Sequence, residues 1–488
     1  MSRSRFAARL YFAVSALAFA AVSAPVVLLA PDASAQISRP GSPISSGPML
    51  GYTTHREIAV WVQLDREASV RVDWQLLGPS ARMEESLANY QGDSLLPANP
   101  TPEATGSSAT HRTSAETFHT LTIPVTHLEP GMRYGYEIVV DGTAQLAAHE
   151  QVMTTETLWQ WRTDPPTVRA ALGSCLYVND TAYDRPNNAY GGGFEILNAI
   201  ASADPTYMLW LGDNVYLREV DWTSRAMMAY RYTHDRALDL LQPLLANVHH
   251  YAGWDDHDFG PNNSNRSFPF RAASLELFEL FWANPTYGQP DLSGTFTQFA
   301  WGDVEVFVLD DRYHRTANDA PVEDRIMFGD QQIDWLLDAL ASSYAPFKLV
   351  VGGNQILNPN SAYEGLIHVP HEYERMLDGI AAREVSGVMF LSGDRHHAEL
   401  IRIEREGLYP LYELTTSPLT AGAGDARHEL ENEARVEGTL VAGTRNFGIL
   451  EVTGARNDRT LRMSVHDAAG DELFSHEVHE SELDWPEE

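Results

Sequence analysis

Tyr207-Met208-Leu209-Trp210-Leu211, followed directly by Gly212-Asp213-Asn214-Val215-Tyr216, is the stretch on which the fold turns. Five apolar residues without alternation read as a strand covered on both faces, as in a mostly parallel sheet flanked by helices. The run ends on a glycine and an acid. Working outward, the same pattern recurs. Ala170-Ala171-Leu172 ends in Gly173-Ser174-Cys175, and Val248-His249-His250-Tyr251 leads through Gly253-Trp254 to Asp255-Asp256-His257-Asp258. Val304 to Leu309 meets Asp310-Asp311-Arg312, and Val388 to Leu391 meets Gly393-Asp394-Arg395-His396-His397. Open α/β sheets hold their ligands beyond the carboxyl ends of the strands. Five polar clusters at five strand tips therefore predict one shared polynuclear metal site.

The chain has 488 residues, enough for two or three domains, and its 44% hydrophobic and 10% aromatic content supplies a large core. A formal net charge of −33 argues against nucleic acid or an anionic membrane as the main partner, since both require a basic face. Lys348 is the only lysine and no GxxxxGK[ST] occurs, which excludes P-loop chemistry and leaves little room for a Schiff base. The acidity fits either a high-salt milieu, where self-repulsion is screened, or a biased genomic composition.

Residues 1–35 read as a secretory signal. Arg3, Arg5 and Arg9 precede an apolar run from Leu10 to Ala30, and Ala33-Ser34-Ala35 is a small-residue cleavage site. The alternative is an uncleaved anchor, because the run is long enough to span a bilayer. Cleavage predicts a secreted or periplasmic protein with no stable membrane anchor. Cys175, the only cysteine, then has no disulfide partner and is either a buried structural thiol or a metal ligand.

A Pro/Ser/Gly-rich linker (36–47) precedes short alternating runs such as Val70, Val72, Trp74 and Leu76, whose period of two marks half-buried strands. Residues 48–160 are expected to form a small fibronectin type III-like β-sandwich, with a loop over 91–114. Thr163-Asp164-Pro165-Pro166 punctuates the next boundary. Beyond it, alternating strand and helix patterns predict a layered α/β domain over 167–480, followed by an acidic tail at 481–488. Helices are expected over 225–246, kinked at Pro243, and over 274–282 and 331–340.

The clusters suit phosphoester chemistry, in which two metals about 3.5–4 Å apart activate a nucleophile and clamp an in-line displacement. Asp213 is the natural bridging carboxylate, although Gly-Asp alone marks many turns. Asp255, Asp256 and Asp258 around His257 make a repulsive group unless a cation sits there, and a solvated acidic loop is the alternative. Arg312 either grips phosphoryl oxygens in bidentate fashion or pairs with Asp310. Gly352-Gly353-Asn354-Gln355 offers amide oxygens to a hard cation, or is a turn.

In order, Gly173-Ser174-Cys175, Gly212-Asp213-x-x-Tyr216, Trp254-Asp255-Asp256-His257-Asp258, Leu309-Asp310-x-Arg312, Gly329-x-x-Gln332-x-x-Trp335-Leu336, Gly353-Asn354-Gln355 and Gly393-Asp394-Arg395-His396 resemble the successive blocks of PhoD-type alkaline phosphatases. These belong to the calcineurin-like metallophosphoesterase superfamily, as do purple acid phosphatases. The resemblance spans residues 48–478, since that family also carries an N-terminal β-sandwich. It implies a four-layer sandwich of helices flanking two mixed sheets, with Fe(III) and Ca(II) as cofactors. Carried over block by block, Cys175, Asp213, Tyr216 and His396 would hold iron. Asp213 would bridge to calcium, held also by Asp255 or Asp256, by Asn354 or Gln355, and by Asp394. Arg312 would stabilise charge on the phosphoryl oxygens, His257 would protonate the leaving alkoxide, and Asn262 and Asn263 would contact substrate. There are departures: Leu176 stands where the family has glutamine, the Asn pair follows a Phe259-Gly260-Pro261 turn, and Arg3-Ser4-Arg5 is not a twin-arginine pair.

The resemblance implies an exported metal-dependent phosphoester hydrolase. It would act on small phosphomonoesters and also on diesters by way of a metal-bound oxygen nucleophile, with no role as a nucleic-acid scaffold. A dedicated phosphodiesterase or phospholipase of the same superfamily is the second reading. A non-catalytic secreted calcium-binding module is a third, which would need neither Cys175, Arg312 nor His257.

Overall fold

The computed structural model describes residues 42–88, 104–147, 149–184 and 189–485. The expected signal segment and most of the expected linker lie outside these residues. All described residues fall within one compact unit, Ser34–Glu488.

Three sheets organise the chain. The largest has nine strands, in the order Glu472–His479, Asp458–Asp467, Asn446–Ala455, Val168–Gly173, Tyr207–Leu211, His249–Gly253, Ile44–Thr53, Glu57–Leu64 and Thr120–Thr126. Its central strands, Val168–Gly173, Tyr207–Leu211 and His249–Gly253, run parallel, with Leu172 opposite Leu209 and Leu209 opposite Tyr251. The second sheet has six strands, in the order Thr297–Trp301, Val304–Val308, Phe347–Val351, Val388–Ser392, Leu411–Thr415 and Glu399–Ile403. There too the middle is parallel, with Val308 opposite Val351 and Val351 opposite Leu391.

Why the apolar runs are continuous is visible in their two faces. Leu172, Leu209, Leu211 and Tyr251 pack into one core with Val306, Val308, Leu349 and Val351 of the six-stranded sheet. The intervening residues Ala171, Met208, Trp210 and Ala252 belong to a second core, shared with helices Ile196–Ser202, Arg225–Arg236 and Arg271–Phe281. Helices Asp330–Ser342 and Pro370–Ala382 join the first core through Leu336, Leu340, Met376 and Ile380. With both faces covered, these strands are mostly apolar, and their buried polar side chains, such as His249 and His250, find hydrogen-bond partners.

The N-terminal region is less separate than its sequence suggested. Strand Ile44–Thr53 begins inside the expected linker and pairs in parallel with His249–Gly253 at Leu50 and His249. Three N-terminal strands thereby extend the large sheet. They face a smaller sheet built on Ser69–Pro79 and Met132–Val140 across a core of Val60, Val62, Val70, Val72, Tyr134 and Ile138. The part of the expected 91–114 loop that is described contains two short strands, Thr105–Ser107 and His111–Arg112, both pairing with Ser69–Pro79.

The helix expected over 225–246 is two helices, Arg225–Arg236 and Gln242–Asn247. Pro243 does not kink a helix; it sits in the first turn of the second one, where its missing N–H costs nothing. Glu480–Leu483, at the start of the expected acidic tail, forms a 3-10 turn whose Leu483 is buried. Among the described residues no helix is long and apolar enough to cross a membrane.

Candidate metal centre and active site

Because the central strands of both sheets run parallel in register, their carboxyl ends deliver the polar clusters to one place. The approach is close enough to demand glycine. A Cβ on Gly393 would lie 2.6 Å from the carbonyl oxygen of Leu211 and 2.6 Å from the Cβ of Ser174. Gly212 has φ of +95°, and a Cβ there would lie 2.7 Å from that of Asp255. The two sheets thus meet at their tips, bringing Ser174, Gly212, Asp255 and Gly393 together.

Four of the converging residues hold left-handed backbone conformations: Cys175 (φ 59°), Asp213 (52°), Asp394 (62°) and His396 (56°). Non-glycine residues adopt this region rarely, at about 1–3 kcal/mol each, and such strain gathers at functional sites.

Two sets of donors share Asp213. Cys175, Asp213 and His396 can offer a sulfur, an oxygen and a nitrogen within 4.8 Å of one another, and Asp213, Asp255 and Asp394 can offer three oxygens within the same limit. Asp213, Asp256 and His257 form a third overlapping group. His396 Nδ1 lies 2.5 Å from the carbonyl oxygen of Gly422, so the ring's proton sits on Nδ1. That leaves Nε2 as a lone-pair donor, 3.4 Å from the Tyr216 hydroxyl. Cys175 is fully buried; its sulfur accepts from Ser417 Oγ at 3.2 Å and lies 3.6 Å from Asp213 Oδ2. Burial pushes the Cys175 thiol up to about 11. Burial, reinforced by Asp256, Cys175, Asp258 and Asp394, drives Asp213 well above the ordinary carboxylate range.

These residues fit a metal centre. Asp255 Oδ2, Asp256 Oδ1 and Asn354 Oδ1 are buried oxygens without a hydrogen-bond partner. Asn354 Nδ2 donates to Asp255 Oδ1 at 2.8 Å and to Asp311 Oδ2 at 3.1 Å, which orients its amide and frees its oxygen. Gln355, the alternative to Asn354, is turned away: its Nε2 donates to Glu399 Oε1 and Thr415 Oγ1. So many buried acids with orphaned oxygens are costly unless cations neutralise them.

Asp258 has a different task from its neighbours. Its carboxylate accepts from the backbone N–H groups of Asn214, Val215 and Asp255, tying the two metal-side loops together. Burial pushes it up to about 7. His257 lies at the cavity with its side chain 15% exposed, its ring centroid 4.3 Å from that of Tyr216. Burial lowers its pKa.

Arg312, expected either to grip phosphoryl oxygens or to pair with Asp310, has its guanidinium engaged by other carboxylates. It is fully buried, and it does not pair with Asp310. Its Nε donates to Asp255 Oδ1 at 2.5 Å, Nη2 to Glu364 Oε2 at 2.6 Å, and Nη1 to Ser264 O and Glu364 Oε1. Asp310 instead accepts from Trp254 Nε1 and from the backbone of Thr295, Arg312 and Tyr313. Burial would raise Glu364, but Arg312 and Arg315 override it and hold the carboxyl down at about 2.

A cavity of about 1040 Å³ opens over Asp213, Tyr216, His257, Asp394 and His396. The arginines that line it are Arg218 and Arg395, and the Arg395 guanidinium lies 3.7 Å from Asp394 Oδ2. Arg395 stacks on Tyr363 at 4.8 Å and reaches His428 Nε2 at 3.1 Å. Asn262 and Asn263 also line the cavity, hydrogen-bonded to each other, and the backbone N–H of Asn263 donates to Asp256 Oδ2. Arg395 stood in the quoted motif and was legible there as a cation beside two ligands. Glu364 and Ser417 lie in irregular segments with no signal of their own.

The sequence model of the family described as "PhoD-like phosphatase" matches residues 181–460. Two solved structures share the fold. One, described as PhoD, has a TM-score of 0.66 and 16% identity, covering 89% of this chain and 92% of that one. The other, purple acid phosphatase PPD1 from yellow lupin (Lupinus luteus) seeds, has a TM-score of 0.59 and 12% identity, covering 88% of this chain and 74% of that one. No curated protein sequence matches at a significant level.

Proposed function

Since the chain belongs to the PhoD-like phosphatase family and is a phosphoester hydrolase, we propose that it is an exported two-metal alkaline phosphatase acting on monoesters and diesters. The observation that carries this reading is the sharing of Asp213 between a sulfur- and nitrogen-containing donor set and an all-oxygen set. A thiolate, an imidazole and a phenolate suit a ferric ion; carboxylates and an amide oxygen suit calcium. On this reading Cys175, Asp213, Tyr216 and His396 hold iron, and Asp213, Asp255, Asp256, Asn354 and Asp394 supply the calcium side. When bound, the two metals supply Lewis acidity at the phosphoryl group and a nucleophile available at neutral to alkaline pH.

The chain's own residues do the rest. His257, beside the shared carboxylate, donates a proton from its imidazole to the departing alkoxide. Arg395 and Arg218, on the cavity wall, balance charge on the phosphoryl oxygens. Arg312 holds Asp255 in place through its guanidinium. A cavity of about 1040 Å³ is far larger than a phosphate group and leaves room for an ester substituent on each side. The reading includes a four-layer metallophosphoesterase domain over 167–480, a fibronectin type III-like sandwich over 48–160, and a cleaved signal at 1–35.

The test is release of p-nitrophenol from mono- and bis-p-nitrophenyl phosphate by metal-replete protein, with and without calcium. Turnover of both esters is expected, and its loss on chelation. Turnover of the diester alone favours the dedicated phosphodiesterase. No turnover of either would sink the proposal.

A further inference from the structure

Behind the loop that carries Asp394 and His396 lies a second polar cluster, independent of the phosphatase reading. His397, Glu399 and Glu429 are buried and can offer one nitrogen and two oxygens within 4.8 Å of one another. They come from three places: the strand-tip loop, strand Glu399–Ile403 and the 3-10 turn Arg427–Glu429.

The polar contacts of the two carboxylates can be counted. Glu399 Oε1 accepts from Gln355 Nε2 at 2.8 Å and Asn358 Nδ2 at 3.2 Å, and faces His397 Nε2 at 3.1 Å. Glu429 Oε1 accepts from Asn358 Nδ2 at 3.3 Å and faces His428 Nε2 at 3.4 Å; its Oε2 accepts from Asn432 Nδ2 at 2.8 Å. Glu399 Oε2 is buried without a partner. Among the described residues, the only ion-pair partners of these carboxylates are the two histidines.

The imidazole of His397 makes the problem sharper. Its Nδ1 faces the carbonyl oxygen of Arg395 at 3.1 Å, which can only accept, so the proton of a neutral ring belongs there. Nε2 then points a lone pair at the Glu399 carboxylate. A lone pair facing a carboxylate oxygen at 3.1 Å is repulsive, and a cation held by both groups relieves it. A divalent ion with a neutral ring brings the net charge of the site to zero and gives Glu399 Oε2 a partner. One imidazole and two carboxylates form a nitrogen–oxygen set suited to zinc or manganese.

We propose that His397, Glu399 and Glu429 hold a structural divalent ion of the zinc or manganese class, separate from the centre around Asp213. It ties the 427–429 turn to the loop presenting Asp394 and His396, so it positions those residues without touching substrate.

The experiment uses the whole chain with its Asp213 centre disabled. Protein carrying Asp213→Asn, analysed by mass spectrometry for metals, is expected to retain about one equivalent of zinc or manganese per chain. Addition of Glu429→Gln should remove it. Retention of that metal in the double variant, or its absence from Asp213→Asn protein supplied with zinc and manganese, overturns the proposal. Should the double variant fail to fold, anomalous diffraction from wild-type crystals soaked in manganese decides. A peak about 2.0–2.2 Å from His397 Nε2 and a carboxylate oxygen is expected, and no peak there overturns it.

Discussion

Arg312 Nε donates to Asp255 Oδ1 at 2.5 Å while Oδ2 of the same carboxylate has no partner. The guanidinium therefore orients Asp255 and opposes, without overcoming, the burial that drives this carboxyl well above the ordinary carboxylate range, and it leaves one oxygen free for a cation. The same guanidinium neutralises Glu364 on its other edge.

Arg312→Met is expected to destabilise the fold by about 3–5 kcal/mol, because it strands the buried charge of Glu364 and removes the partner that Asp255 faces. Thermal unfolding and calcium content should fall together. A variant with unchanged Tm and calcium content but a raised KM would show that Arg312 contacts substrate instead.

Asp213→Asn should lower turnover at least about 1000-fold, since both donor sets lose their common member. Its effect on the metal-free protein has the opposite sign. Burial and the neighbouring acids hold Asp213 well above its unfolded value, so its ionisation costs stability once pH exceeds that unfolded value. Chelator-treated Asp213→Asn should melt higher than chelator-treated wild type at pH 9. Equal melting would contradict the electrostatic account.

The thiol of Cys175 should be hidden in metal-free folded protein. A group pushed up to about 11 is roughly 200-fold less ionised at pH 8 than an ordinary thiol near 8.5, before burial slows access. Reaction with Ellman's reagent should be negligible when folded and reach one thiol per chain in denaturant. In the iron-loaded protein, Tyr216→Phe should shift or abolish a visible absorption band; an unaltered band rules Tyr216 out as a ligand.

Glu156, away from the centre, predicts an alkaline weakness. Burial raises it from 4.5 to about 8, against a single backbone hydrogen bond from Gly302. Between those values the folded state holds a proton that the unfolded state has lost, so its contribution to stability falls as pH rises through that window. Glu156→Gln keeps the acceptor and removes the charge. It should gain on the order of 2 kcal/mol over wild type at pH 9 and nothing at pH 4, read from denaturant midpoints.

Much of this site was legible along the chain. Asp213, Cys175, Asp394 and His396 each follow a strand run, and the register of parallel strands forces such tips to converge. The partners of Arg312 were not legible, because Asp310, its neighbour two residues before, does not face the guanidinium, although Asp311 does. The guanidinium's main partners, Asp255 and Glu364, are 57 and 52 residues away. The N-terminal strands show the same limit, since period two announces a strand but not the sheet that receives it.

By itself, the sequence determined the strands, the chemistry at their tips and the need for glycine among them, because these depend on local periodicity and residue type. Tertiary structure alone decided which buried charges neutralise one another. It set Arg312 between Asp255 and Glu364, placed Arg395 on the cavity wall and left the His397 imidazole facing Glu399. Electrostatic pairing in a low-dielectric interior depends on distances of a few ångströms between residues far apart in the chain, and no local pattern encodes those.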